Sequence, residues 1–322
     1  MSARAAARRP GAFSLPAARH YLSVLDLSHA EIDRVLDLAA AFKRDRAAGR
    51  RSARPLEGRH VALLFEKPSL RTRSTFTIAV RELGGDVIEP PSDVALGGRE
   101  TIEDVARNLE RWVTACVVRT YAQQGLRRFA AAATRMHVIN ALTDQEHPCQ
   151  VLADMLTLRE HAGALQGRTL AFVGDGNNVA VSLAHAGALL GLRVRVASPK
   201  GYELQDAVVR AFDRVARHGA QLELLTDPFD AARGAHAVYT DAWISMGQEA
   251  RAARRERVFK PYQVNAAMMA VAARGAVFMH CLPAHRGAEV TDEVMDGASS
   301  VVFDQAENRL HTQKALLALL MG

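Results

Sequence analysis

The chain is 322 residues long, enough for two domains with a core each, and its 49% hydrophobic and 24% charged content is that of a globular protein. No apolar run reaches the roughly 18–20 residues needed to span a bilayer, which argues against a membrane role. A net charge of +6, from 41 basic and 35 acidic residues, suits small anionic substrates; the arginines are scattered without a basic stripe interleaved with aromatics, which argues against a nucleic-acid module.

The first twenty residues carry four arginines (Arg4, Arg8, Arg9, Arg19) and no acid. This segment resembles a mitochondrial transit peptide and equally an Ala/Arg-rich tail. The tail is the reading adopted, for residues 1–19, with a cytoplasmic location and the mitochondrial matrix as the alternative. Three widely spaced cysteines (Cys116, Cys149, Cys281) fit a reducing compartment without a disulfide framework.

From there strand-like and helix-like segments alternate, the pattern of a parallel α/β protein. The predicted strands of the first half are His60–Phe65, Asp86–Glu89, Cys116–Arg119 and His137–Asn140. Those of the second half are Thr169–Val173, Arg193–Ala197, Gln221–Leu225, His236–Thr240, Ala276–His280 and Val301–Phe303. An amphipathic run from Pro148 to about His161 links the halves, and an apolar helix over Leu310–Leu320 is long enough to pack back across the boundary. The expected domains are 20–150, rejoined by 310–322, and 151–309.

The polar clusters fall where these strands end. FEKPSLRTR (Phe65–Arg73) follows the first strand and opens a helix whose Phe76, Val80 and Leu83 share a face. Helix starts offer unpaired N–H groups and the positive end of the macrodipole, and Arg adds forked donors that match phosphate oxygens. The plainer reading is a capped helix with solvated arginines. Arg119, Asp175–Asn178, Asp241, His280–Cys281 and Gln305–Arg309 also lie at or just beyond predicted strand ends. In open parallel sheets that edge holds the ligand crevice, so two sheets are expected to present their carboxyl edges to one cleft.

Individually the motifs are ambiguous. Val173–Val179 opens like a GxGxxG loop, yet Val179 replaces the third glycine and no acid ends the next strand, Val196-Ala197-Ser198-Pro199, which argues against a dinucleotide site. An Asn pair at a helix start can instead bind a carboxylate. His147 and Gln150, three apart on one helical face, can donate to a carbonyl oxygen and accept from an amide-type NH₂; a histidine cap is the plainer alternative. Asp241, in DAWISMG, can pair with an ammonium group or form an Asx turn anchored by Trp243. HCLPAH lacks the second Cys/His pair of a zinc site and an identifiable base for a Cys nucleophile. Leu282-Pro283 is a candidate cis peptide.

Taken together, FEKPSLRTR, HPCQ, GDGNN, DAWISMG, HCLP and FDQAENRLH resemble the aspartate/ornithine transcarbamylase family in order and spacing from about His20 onward, with DAWISMG resembling the loop of its ornithine-specific branch. The resemblance implies two parallel-sheet α/β domains with the active site between them. It also implies carbamoyl transfer from carbamoyl phosphate to the side-chain amine of L-ornithine, giving L-citrulline and phosphate, in arginine biosynthesis or its reverse, with putrescine or N-acetylornithine as alternative acceptors. By resemblance Ser69, Leu70, Arg71 and Thr72 would bind the phosphate, with Arg119 bridging phosphate and carbamoyl oxygen. His147, Gln150, Arg309 and the backbone of Cys281 and Leu282 would hold the carbamoyl group. Asn178, Asp241, Ser245 and Met246 would bind ornithine. Arg119, His147 and Cys281 would stand at the reacting atoms, with no metal or other cofactor, in a homotrimer or a multiple of it. Two departures stand out. Leu70 occupies a position where the family often has Thr, and Ala95 stands at or near a point where some members place a Gln that reaches a neighbouring subunit's site.

Overall fold

A computed structural model describes residues 20–51, 53–91, 98–244 and 252–322. Two sheets, parallel throughout, carry the architecture. The first runs in the order β2-β1-β3-β4, with β1 at His60–Phe65, β2 at Asp86–Ile88, β3 at Ala115–Arg119 and β4 at His137–Leu142. The second runs β7-β6-β5-β8-β9, with β5 at Thr169–Val173, β6 at Arg193–Ala197, β7 at Gln221–Leu225, β8 at Ala237–Thr240 and β9 at Val277–His280. The crossover helices that parallel pairing requires follow the strands: α1 (His29–Ala47) precedes β1, and α2 (Leu70–Glu82), α3 (Ile102–Leu109) and α4 (Gln123–Ala132) fill the first half. The second half carries α6 (Asn178–Leu190), α7 (Asp206–Val215), α8 (Pro228–Ala232), α9 (Ala252–Phe259), α10 (Ala266–Val271) and α11 (Asp292–Met295).

Strand periodicity sorts the core. In β1, Val61, Leu63 and Phe65 join a cluster that runs on into both halves of the chain, while Ala62 and Leu64 face a separate cluster under α3 and α4. The second sheet does the same: Leu170, Phe172 and Tyr239 face the shared cluster, and Ala171, Val173 and Val238 face a third one under α8 and α10. Near-continuous apolar strands are what a sheet covered on both faces demands.

Two helices make the shared cluster continuous. α5 (Pro148–Ala162) is buried at every position from Pro148 to Leu158. α12 (Val302–Met321) packs on α1, α2 and α5, and buries even Lys314, whose ammonium reaches Glu82 of α2. The predicted linking helix and returning helix are therefore both present.

One predicted strand is not. Val301–Phe303 adds a single bridge, Ser300 opposite Phe278, with Val301 N–H donating to the Phe278 carbonyl at 3.0 Å, and the chain then turns directly into α12. The apolar triplet reads as a strand because β-branched residues fit a pleat, but a 20-residue helix whose face enters the core outweighs one more edge strand. Elsewhere the predicted strand boundaries differ from the observed ones by no more than two residues, as at β2, which ends at Ile88, and β4, which continues to Leu142.

Leu316, fully buried where α12 meets the first-half helices, gives a direct measure of that packing. Leu316→Ala should destabilise the protein by about 2–5 kcal/mol in denaturant unfolding; a loss below about 1 kcal/mol would show that α12 is loosely attached.

Candidate active site

The loop from Phe65 to Arg73 is built by β1 delivering the chain to α2. Ser69 is the N-cap residue of α2, yet its side chain makes no capping hydrogen bond, so the plainer reading of this motif, a capped helix, is not what the structure shows. The first-turn N–H groups of α2 are therefore left without that side-chain acceptor. The two arginines of the loop have separate fates. Arg73 is engaged by Glu89 and lies over the Phe65 ring at 5.5 Å, whereas Arg71 makes no ion pair with a described carboxylate. Leu70 points into solvent, 77% exposed. Thr72 is buried, and its hydroxyl accepts a hydrogen bond from the Arg309 guanidinium of α12.

Arg119 ends β3 at a register shift in the ladder between β3 and β4, lying between Val118 and Arg119. Such irregularities bend a strand and re-aim its last side chain. Burial, with Arg309 as the next cause, lowers the Arg119 guanidinium to about 10. His147 precedes α5, with Pro148 at the first helical position, and its backbone N–H donates to the Ser182 hydroxyl at 2.9 Å. Its ring does not cap the helix. Burial first, then the charges of Arg309, Arg119 and Arg71, hold the imidazole well below its ordinary pKa of 6.5.

Unsatisfied atoms mark the centre of this group. Among the described residues, Arg119 Nε, His147 Nδ1, Gln150 Oε1 and Arg309 Nε are buried without a hydrogen-bond partner. Buried polar atoms are ordinarily paired, so several orphans converging from β3, α5 and α12 indicate a place made for a polar ligand.

The second sheet supplies the opposite wall. Asn177 caps α6 through Val179 and Ala180 N–H and donates to Asp241 Oδ2 at 2.8 Å. The Asn178 side chain donates to the Thr143 carbonyl at 2.6 Å, tying α6 to the first half of the chain. Cys281 Sγ–H donates to Asp241 Oδ1 at 3.1 Å, and burial and then Asp241 push the thiol pKa well up, so Cys281 stays protonated. Leu282 follows with φ +61° and a cis bond to Pro283, bearing out the expectation for that turn. Asp241, His280 and Cys281 offer donor atoms within 4.8 Å of one another, a set a metal ion could use. All three already have protein partners: His280 Nδ1 accepts from Leu282 N–H at 2.8 Å and Nε2 faces Glu289 at 3.3 Å.

The dinucleotide-like glycines have a packing role. A Cβ on Gly176 would lie 2.6 Å from the backbone of Glu203 and Leu204, and Gly176 N–H donates to the Tyr202 carbonyl at 2.8 Å. The second glycine of the motif therefore admits a neighbouring loop, which sits where close approach was available. Trp243 is buried and stacks on Phe259 at 6.0 Å, anchoring the start of its loop; Arg255 of α9 reaches both the Trp243 carbonyl and Asp175. Ser245, Met246 and Ala95 lie outside the described residues. Three buried residues stand directly behind Gln150: Gln305, the first of the Gln305–Arg309 cluster, and Asp154 and Tyr239, which nothing in the sequence marked.

Clustered guanidiniums and orphaned buried atoms beyond the ends of two parallel sheets make a site for a small polar anion, and comparison with known proteins gives the family. Residues 19–160 match the carbamoyl-P binding domain, and residues 166–320 the Asp/Orn binding domain, of aspartate/ornithine carbamoyltransferases. The chain belongs to that family. Within it, the chain is 53% identical over 306 residues to an ornithine carbamoyltransferase of Parafrankia sp., spanning 94% of this chain and 96% of that one. It is 50% identical over 321 residues to that of Parasynechococcus marenigrum, covering 99% of each. The solved ornithine carbamoyltransferase from Pyrococcus furiosus superposes with a TM-score of 0.91 at 47% identity, covering 95% of this chain and 98% of that one.

With its pKa held well below 6.5, His147 should be neutral throughout the physiological range. The unfolded chain takes up a proton near 6.5 where the native one does not, so this group favours unfolding as pH falls below about 6.5 and is silent above it. In an NMR titration of the ligand-free protein, the His147 resonance should show no midpoint between pH 6 and 8; a midpoint near about 6.5 would place the ring in solvent.

Proposed function

We propose that this protein transfers the carbamoyl group of carbamoyl phosphate to the side-chain amine of L-ornithine, releasing L-citrulline and phosphate. The observation that carries the reading is the set of orphaned buried atoms on Arg119, His147, Gln150 and Arg309, facing Asp241 and Cys281 across the cleft. Ser69, Leu70 and Thr72 with Arg71 form the phosphate seat at the start of α2. Arg119 spans phosphate and carbamoyl oxygen. Neutral His147 donates to that oxygen, Gln150 Oε1 accepts from the carbamoyl NH₂, and the turn at Cys281 and Leu282 closes over it with Arg309. Asp241 and Asn178 lie where the amino-acid acceptor enters, and Ser245 and Met246 are assigned to its binding by resemblance.

The amine must arrive uncharged. Its nitrogen attacks the carbamoyl carbon, the C–N bond forms as the carbonyl oxygen takes negative charge, and the bond to the phosphate oxygen then breaks. The departing phosphate takes the amine proton. Arg119 and His147 donate to the oxyanion; loss of one such donor typically lowers kcat by about 10²–10³. A protonated Cys281 contributes a polar S–H beside Asp241 rather than a nucleophile.

The domain division that accompanies this reading is 20–150 with 310–322 as the carbamoyl phosphate half and 151–309 as the ornithine half. A homotrimer or a multiple of it is the assembly that the family resemblance implies. A cytoplasmic setting accords with three free cysteines.

A citrulline-formation assay offering ornithine, putrescine, aspartate and N-acetylornithine side by side should give ureido product with ornithine at a rate that climbs with pH as free amine accumulates. No product from ornithine would overturn the reading, and product from another amine alone would reassign the acceptor. Arg71→Lys keeps the charge and loses the fork, and should raise the carbamoyl phosphate KM about tenfold or more. Unchanged kinetics would remove Arg71 from the site.

A further inference from the structure

Behind Gln150 lies a buried polar chain that the proposed mechanism leaves unused. The Gln150 amide nitrogen donates to Asp154 Oδ1 at 2.8 Å, and that same oxygen accepts from the Gln305 amide nitrogen at 2.7 Å. Gln305 Nε2 also reaches the Tyr239 hydroxyl at 3.0 Å, and Tyr239 stands 3.2 Å from Asp154 Oδ2. On its other side Gln305 Oε1 accepts from the His280 backbone N–H at 3.0 Å, and His280 Nδ1 accepts from Leu282 N–H at 2.8 Å. Gln150, Asp154, Tyr239 and Gln305 are all essentially inaccessible to solvent. They come from α5, β8 and α12, so the chain runs from one side of the cleft floor to the other.

An amide side chain can be turned either way about its last torsion, and only its partners decide which end faces where. A carboxylate oxygen behind Gln150 fixes that choice. With Oε1 turned toward Asp154, two acceptors would be buried against each other; with Nε2 there, Oε1 is left pointing away, as the unpartnered atom it is. Gln305 is fixed in the same manner, because a donor occupies one end and acceptors the other. We propose that Asp154 and Gln305 are positioning residues that hold Gln150 Oε1 and the Cys281–Leu282 turn as acceptors, so that the site distinguishes a carbamoyl NH₂ from an isosteric group without N–H. This rests on the carbamoyl-transfer reading and assigns it a specificity determinant.

The arrangement does not depend on the charge of Asp154. Burial raises its pKa to about 7, with hydrogen bonds from Gln150, Gln305 and Tyr239 opposing the rise. Oδ1 accepts two amide hydrogens and Oδ2 one from the Tyr239 hydroxyl, so a proton taken up at lower pH goes to Oδ2 and the Tyr239 hydrogen turns away from it. Oδ1 remains an acceptor in both forms. Asn at this position keeps an acceptor at Oδ1 and turns an NH₂ toward the Tyr239 oxygen, whose own hydrogen then leaves this contact, as in the protonated form.

Three ligands separate the possibilities. Carbamoyl phosphate carries the NH₂, acetyl phosphate replaces it with a methyl group, and inorganic phosphate has neither. In Asp154→Ala, the dissociation constant for carbamoyl phosphate should rise about tenfold, while those for acetyl phosphate and phosphate stay within about twofold, so that the preference for the carbamoyl compound shrinks. Asp154→Asn should restore that preference to within about threefold of the unmodified protein. If Asp154→Ala does not fold, Gln305→Met, which removes the partner shared by Asp154 and His280, should show the same selective loss. The inference is overturned if all three ligands weaken in parallel, which marks general damage, or if carbamoyl phosphate is unaffected, or if Asp154→Asn is as impaired as Asp154→Ala. Failure of the unmodified protein to form citrulline would instead strike at the reading on which the inference rests, and is seen before any variant is made.

Discussion

Three guanidiniums, Arg71, Arg119 and Arg309, are gathered around a neutral imidazole with no described carboxylate closing an ion pair on them. Like charges in a partly dry site repel, and each depresses its neighbours' affinity for protons. The arrangement persists because the scaffold holds it: β1 and α2 place Arg71, the shifted end of β3 places Arg119, and α12, anchored in the shared core, places Arg309. The stability of those elements is what keeps the repulsion in place, and a dianionic ligand relieves it. Affinity for a phosphorylated donor is therefore a property of the fold as much as of the loop.

The same logic separates the two sides of the cleft. The first half concentrates positive charge and unsatisfied donors, whereas the second contributes Asp241, a protonated thiol and an asparagine whose own hydrogen bonds are made. One side carries unneutralised positive charge and the other a carboxylate. Arg255 shows how the second side is stiffened: it lies against the rings of both Tyr202 and Phe259 while reaching Asp175 and the Trp243 carbonyl, so one buried cation ties α9 to the ends of β5 and β8.

Much of this was readable in the residues because parallel sheets obey a strict rule about where ligands sit. Once His60–Phe65, Thr169–Val173 and their neighbours are seen as strands, the polar groups at their carboxyl ends mark the cleft. Local signals misled where two elements share a composition. Val301–Phe303 is apolar and β-branched, and only the helix that follows shows that it begins a turn of α12. Ser69 has the chemistry of a helix cap but makes no capping hydrogen bond, and Arg73 beside Arg71 is drawn off by Glu89, a partner 16 residues away. Gln305 was marked only as the start of a polar cluster, and its grouping with Asp154 and Tyr239 was not recognised. Asp154 and Gln305 are 151 positions apart, and a lone Asp on an apolar helix face carries no sign of what packing will bring to it.

One link closes late. The guanidinium that grips Thr72 belongs to a residue 237 positions further along the chain. A ribosome making this protein therefore completes Ser69–Thr72 and the whole first sheet long before Arg309 is made. The helix that carries this guanidinium is also the one that completes the core shared by both halves, so closing the apolar core and joining Arg309 to Thr72 are one event at the end of the chain.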